Sequence, residues 1–258
     1  MANIINFGGG KASGGGSYVI SAPIMGVDFT WDGGDNTCQV IDEGSGNWQM
    51  RFLSSGNLKF LSNRLVDGFL VGGGGRGQAS YSGTNNRYEA RAGGGGYTTT
   101  VKSVVLVAET VYPIVVGAGA TSATAQAGTS SAFGASAAGG FSGGSDHYGK
   151  GGSGGAGHLT SGSSGSMQEF AGGVDGANGG GATYNGVGQG TTTRAFGEAD
   201  GDLYASGGDA VTRGVGSITA PSPNTGDGGS AAARSSPVQY SGASGIVIIR
   251  NHREEAAA

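Results

Sequence analysis

Residues Leu65–Gly77 read LVDGFLVGGGGRG, an apolar strand that runs without a break into consecutive glycines. From there to about Gly245 glycine recurs in dense runs, separated by glycine-free stretches such as 97–116. The chain holds 59 Gly in 258 residues, against an ordinary usage of about 7%. Each glycine fixed in a regular helix or strand costs roughly 0.5–1 kcal/mol relative to alanine. The whole set therefore opposes folding by roughly tens of kcal/mol if it is spent on ordinary secondary structure. Disordered linkers carry the same composition. A folded chain of this kind needs a structure in which the missing Cβ is an advantage.

The left-handed helix of three residues per turn is such a structure. Without side chains several of these helices can pack axis to axis, with backbone N–H groups bonding to neighbours and Cα–H···O contacts adding to them. Collagen requires glycine strictly at every third residue. The runs here, Gly72–Gly75, Gly93–Gly96, Gly151–Gly157 and Gly179–Gly181, do not keep that spacing. Consecutive glycines clear all three faces of such a helix, which suits an interior place in a bundle. The expected scaffold positions are Gly72, Gly73, Gly74, Gly75, Gly94, Gly95, Gly154, Gly155, Gly179 and Gly180. The expected fold is all-β with polyglycine-II: a small antiparallel β base clamping a bundle of glycine-rich helices joined by loops.

The base is legible in the remaining residues. Val27, Phe29 and Trp31 alternate with Asp28, Thr30 and Asp32, and Trp48, Met50 and Phe52 alternate with Gln49 and Arg51, the period of a half-buried strand. Cys38–Asp42 is a further short strand. Ser54–Asn57 is expected to turn the Trp48–Phe52 strand into Leu58–Leu61 as a hairpin, with Leu65–Val71 following. The aromatics on these strands are expected to form a core. A second hairpin is expected from Thr99–Ala108 and Val111–Val116 around Glu109-Thr110, and Ile246–Arg250 closes the base. The expected organisation is an N-terminal attachment segment 1–17, one composite domain 18–250 (base 18–71, glycine-rich part 72–245 with its inserted hairpin 99–116, closing strand 246–250), and a tail 251–258.

Several functions are set aside by the sequence. Residues 1–17 show no basic segment followed by an apolar one, so no signal peptide is expected. No apolar stretch approaches membrane-spanning length, and a net charge of −4 argues against holding nucleic acid through its phosphates. Cys38 stands alone and makes no internal disulfide. Glycine density also generates decoys. Gly72-x-Gly74-x-x-Gly77 lacks the following amphipathic helix of a dinucleotide fingerprint. Gly144…Gly149-Lys150 has Gly151 where a phosphate-binding loop needs Ser or Thr for magnesium. Gly151-x-Ser153-x-Gly155 lacks the strand–turn–helix of a nucleophile elbow. His147, His158 and His252 have no metal-ligand spacing. No catalytic set, cofactor or metal site is expected.

Loops on a rigid scaffold are the usual place for recognition, and Tyr, Asn and Ser are the vocabulary of adaptable binding loops. The candidate contact residues are Tyr81, Asn85, Asn86, Arg87, Tyr88, Asp146, His147, Tyr148, Tyr184 and Asn185. The alternative for each is a solvated turn or a cover over the bundle.

The order VDGFLVGGGG (Val66–Gly75), YPIVVGAG (Tyr112–Gly119), SSAFG (Ser130–Gly134), GQGTTTRAFGE (Gly188–Glu198) and SGIVIIR (Ser244–Arg250) resembles glycine-rich proteins of tailed bacteriophages, especially tail-fibre and receptor-binding modules. The architecture is similar to the polyglycine-II adhesin at the tip of T-even-type long tail fibres. The resemblance implies a virion protein, made in the host cytoplasm, that recognises a host-surface glycan or outer-surface protein. It also implies attachment to other tail or baseplate proteins and leaves open a homo-oligomer such as a trimer. A purely structural virion protein, a fibre shaft or decoration protein whose loops make subunit contacts, is the second reading. Ice binding is a third, and loops as long as His158–Phe170 argue against it.

Overall fold

The computed structural model describes residues 4–5, 18–19, 21–123, 125–144, 148–160, 167–181, 184–213 and 217–253. Among these the protein is nearly all β, and its helical content is the short turn Ala195–Gly197. The base is a five-stranded antiparallel sheet in the order Thr98–Leu106, Arg64–Val71, Ile246–Asn251, Asn47–Phe52, Cys38–Gly44. A three-stranded sheet of Val111–Ile114, Gly56–Phe60 and Phe29–Trp31 accompanies it.

The alternation in Asn47–Phe52 has its expected consequence. Trp48, Met50 and Phe52 are fully buried between the two sheets with Phe29, Leu58, Phe60, Leu106 and Ile114. The Cys38 thiol sits at the edge of this core, where burial pushes its pKa up to about 12. The other face of the five-stranded sheet carries Phe69, Val71, Ile246 and Ile248, and Phe196, Tyr204 and Ala205 cover it. A sheet buried on both faces explains why Phe69–Val71 and Ile246–Ile249 read as continuous apolar runs instead of alternating.

Neither expected hairpin forms. Thr98–Leu106 pairs with Arg64–Val71, whereas Val111–Ile114 pairs with Gly56–Phe60 in the other sheet. Glu109, in the left-handed region with φ 60°, donates its N–H to Phe60 O and carries the chain across from one sheet to the other. Likewise Asn47–Phe52 pairs with Cys38–Gly44 and Ile246–Asn251, not with Gly56–Phe60. In both cases apolar side chains on adjacent strands are buried better by facing each other across the core than by lying side by side. Val27 is 65% exposed and belongs to a turn, so the strand expected around it begins at Phe29. Ile4–Ile5 and Tyr18–Val19 pair with each other, and the rest of the 1–17 segment lies outside the described residues. At the other end the last strand runs through Asn251, and the His252 N–H donates to Leu65 O.

From the end of Arg64–Val71 the chain enters the glycine segments, whose amides follow a three-residue rule. Gly72 donates to Tyr97 O and Gly75 to Gly94 O; Gly74 donates to Ala243 O and Gly77 to Tyr240 O; Gly73, between them, donates to Gly128 O. Three successive amides thus point to three different segments, and the direction returns at the fourth. The returning segment 92–97 keeps the rule: Ala92 and Gly95 donate to Ala156 and Ser153, Gly93 and Gly96 to Gly229 and Gly226, Gly94 and Tyr97 to Phe141 and Ala138. In every pair the partner number falls by three as the donor number rises by three, so partners run antiparallel. Here the interior is backbone, and its polar groups are satisfied by other backbone.

The absent Cβ makes this approach feasible. A Cβ on Gly74 would overlap the carbonyl of Asp227, and one on Gly94 would overlap the carbonyl oxygens of Gly149 and Lys150. Gly180 is looser, with its nearest neighbour, Ala171 O, at 3.0 Å from a built Cβ. A Cβ at any of the other scaffold positions would likewise overlap neighbouring backbone.

Candidate functional site

Two glycine segments, 72–77 and 92–96, lead out from the base and back, and the hairpin Gln78–Ser82/Arg87–Arg91 joins their far ends. At about 3.1–3.3 Å per residue the outgoing segment carries the hairpin roughly 15–20 Å from the base strand. Ser82 pairs with Arg87 and closes a four-residue turn in which Asn86 is left-handed, φ 47°. Asparagine is among the residues that take this conformation at least cost. Gly157–Thr160 adds a third strand beside Arg87–Arg91.

Register sorts the side chains of this small sheet into two faces. Ala79 pairs with Ala90 and Tyr81 with Tyr88, so these four share one face. Ala90 packs there with Ala156, Ala210, Ala231 and Ala233, an alanine layer beneath the four-stranded sheet Gln168–Phe170, Ala210–Thr212, Ala231–Ala233, Val238–Gln239. At the rim of that layer the Tyr81 and Tyr88 rings lie 4.7 Å apart. The Arg213 guanidinium stands 5.0 Å over Tyr88 and donates to Asn86 O at 3.4 Å. Desolvation first, then Tyr81, pushes the Tyr88 phenol above its ordinary range against the opposing effect of Arg213.

The opposite face carries Gln78 with Arg91, Ser80 with Glu89, and Ser82 with Arg87. Glu89 accepts from Arg87 at 3.3 Å and also pairs with Arg91. Arg91 then lies 3.9 Å over the Tyr184 ring and 5.4 Å from Tyr148, and the two tyrosines are 5.1 Å apart. Gln78, Ser80, Glu89, Arg91 and Gly144 line a polar cleft of about 200 Å³ beside them. Guanidinium–ring contacts of this sort contribute about 0.5–1 kcal/mol at exposed sites and hold both partners in place.

The structure therefore gathers six of the ten residues named from sequence into two aromatic–arginine groups on opposite faces of one sheet: Tyr81, Tyr88 and Asn86 in one, Tyr148, Tyr184 and Arg87 in the other. Asn85 is exposed at the tip of the turn, and Asn185, also exposed, donates from Nδ2 to Gly179 O at 3.2 Å. Asp146 and His147 lie outside the described residues. Sequence reasoning missed Arg91, Glu89 and Arg213. Position at the end of a strand before a glycine run was the only signal for Arg91. Nothing near Arg213 distinguished it from a solvated turn.

Among the described residues no group of three or more His, Cys, Asp or Glu side chains could hold a metal ion, and no helix is long and apolar enough to cross a membrane. A cleft of about 610 Å³ lies on the base and is lined by Val105, Tyr112, Pro113 and Phe133 among others.

Fold and site together define an all-β protein in which glycine segments carry a small side-chain-bearing sheet away from a β base. Residues 53–252 match the glycine-rich domain family, and the chain belongs to it. Comparison with curated proteins returned no match.

Proposed function

We propose that this protein is a bacteriophage tail-fibre or receptor-binding protein. In this reading the three-residue ladder is a polyglycine-II bundle, and the hairpin sheet beyond it is the adhesive end, recognising a glycan or protein on the host surface. The observation that carries the reading is the pair of tyrosine–arginine groups held away from the base on a backbone-packed scaffold. Tyr and Arg are the residues that most often dominate binding energy at protein interfaces, and stacking fixes their rotamers before a partner arrives, which lowers the cost of association. The phage setting rests on the resemblance of motif order, and the net charge of −4 fits a partner other than nucleic acid.

A second reading has its own support. Val105, Val107, Val111 and Val115 are each between 41% and 55% exposed, and Val105 lines the base cleft. An apolar strip of this kind suits attachment to another virion subunit or to further copies of this chain.

Exchanging the Gly83–Asn86 turn for unrelated four-residue turns, and separately replacing Tyr148 and Tyr184 by Ser, tests the adhesive end. The expected result is altered preference among bacterial strains with a melting temperature lowered by no more than a few degrees. Strain preference untouched by both changes would remove the adhesive role from this sheet and favour the subunit-contact reading.

A further inference from the structure

The face of the five-stranded sheet covered by Phe196 and Tyr204 ends in a polar set that the binding reading leaves unused. Asp67, on the strand Arg64–Val71, has a side chain only 1% exposed. Its Oδ1 lies 2.7 Å from His252 Nδ1 and accepts the Ser103 N–H at 3.0 Å. Arg250 Nε is 3.5 Å from Oδ2. Burial alone would raise this carboxyl, but the bonds from His252, Ser103 and Arg253 outweigh it and hold it below its ordinary value. It is therefore ionised at neutral pH and can only accept, so the proton between it and His252 belongs to Nδ1. In the neutral ring Nε2 is then an acceptor. That Nε2 lies 3.4 Å from Ser103 Oγ.

Ser103 is placed by a bulge. The ladder between Thr98–Leu106 and Arg64–Val71 slips between Val101 and Val104, so Lys102 and Ser103 together oppose Asp67. Ser103 takes a left-handed φ of 57° and is exposed. A non-glycine residue in this region carries about 1–2 kcal/mol of strain, and such strain gathers at functional sites.

We infer that Ser103, His252 and Asp67 form a nucleophile–base–orienting set that accepts acyl groups from small, activated acyl esters at the open edge of the base sheet. Ser103 Oγ adds to the ester carbonyl carbon while its proton passes to His252 Nε2. Collapse of the adduct breaks the bond to the alcohol oxygen, and the alcohol leaves with that proton. Water then adds to the acyl-serine, its proton returning through Nε2 to Ser103 Oγ as the carboxylic acid departs. Asp67 holds the imidazole in the required tautomer. The 3.4 Å separation is of the length such bonds show before substrate tightens them. The Ser103 N–H is committed to Asp67 and is not an oxyanion donor. That limits the set to esters with good leaving groups and an acyl portion small enough to need no closed pocket.

A fluorophosphonate probe, which loses fluoride to an activated serine, tests this on the full chain, with the adduct mapped by peptide mass spectrometry. The expected result is one adduct on Ser103 in native protein and none in heat-denatured protein or in Ser103→Ala. Labelling slows at least ~100-fold in His252→Gln, the lower range for a lost general base, and free imidazole restores it there but not in Ser103→Ala. Melting temperatures of both variants confirm that they fold. No adduct on the native protein, an adduct elsewhere, or an unchanged rate in His252→Gln overturns the inference.

Discussion

Replacing Gly74 by Ala isolates the close approach of backbones in the glycine segments. Gly74 does not have a left-handed φ, so alanine meets no conformational strain there, only its neighbour. The added Cβ would overlap the Asp227 carbonyl, and this neighbour is not free to move. The Asp227 oxygen accepts Ala243 N–H at 2.9 Å, while Gly74 N–H donates to Ala243 O at 2.8 Å. Relief therefore requires overpacking, which costs about 1–3 kcal/mol, and weakening at least one buried hydrogen bond, about 1 kcal/mol more. Against this, alanine stabilises by about 0.4–1 kcal/mol through the unfolded chain. The net loss is about 1–3.5 kcal/mol, or a melting temperature lower by about 2–14 °C at 2–4 °C per kcal/mol for a protein of this size. Gly83→Ala is the control, since a Cβ there meets only the Tyr81 side chain at 3.5 Å, and it should melt at or slightly above wild type. Thermal unfolding of the two variants side by side decides the matter. Equal melting temperatures would refute the backbone-packed interior.

Other consequences follow from the same geometry. Phe52→Ala, which empties a fully buried site between the two base sheets, should cost about 3–5 kcal/mol, read as a lower midpoint in denaturant at unchanged slope. Cys38, with its thiol pKa pushed up to about 12 by burial, should resist a disulfide reagent at pH 8 in the native protein and react promptly in denaturant. Asp227 has a pKa raised first by burial, against bonds from Thr225 and the Ser206 N–H. Its folded value lies above the ordinary 3.8, so ionisation opposes folding as pH rises through that raised value. Asp227→Asn should therefore melt higher than wild type at pH 7, and the gap should close below about pH 4; a gap independent of pH would contradict the assignment.

The sequence showed which faces would be buried but not which strands would be neighbours. Trp48, Met50 and Phe52 declared an inward face by their period, and all three are in the core. Pairing is another matter, because period 2 carries no information about the partner. Val247 opposes Phe52 from nearly two hundred residues away, and the two expected hairpins failed because proximity in sequence stood in for register. The alanine layer of Ala90, Ala156, Ala210, Ala231 and Ala233 was invisible for a different reason. In a chain this rich in small residues, alanine has no contrast against its surroundings and shows no period. The aromatic–arginine groups were half legible. Tyrosines stood out against glycine, so Tyr148 and Tyr184 were named, but the Arg91 that stacks on both reaches them only through the hairpin register. Ser103 and His252, 149 positions apart, meet only because a bulge and the final strand flank Asp67.

The measurement that bears most directly on the proposed function is equilibrium binding of fluorescently labelled protein to a panel of bacterial strains, with boiled protein as control. Saturable binding to some strains and not others, lost on boiling and weakened when Tyr148 and Tyr184 are both replaced by Ser, is the expected result. No binding to any strain, or binding that boiled protein matches, would contradict the adhesive reading and leave the exposed valines of the base as the surface to pursue.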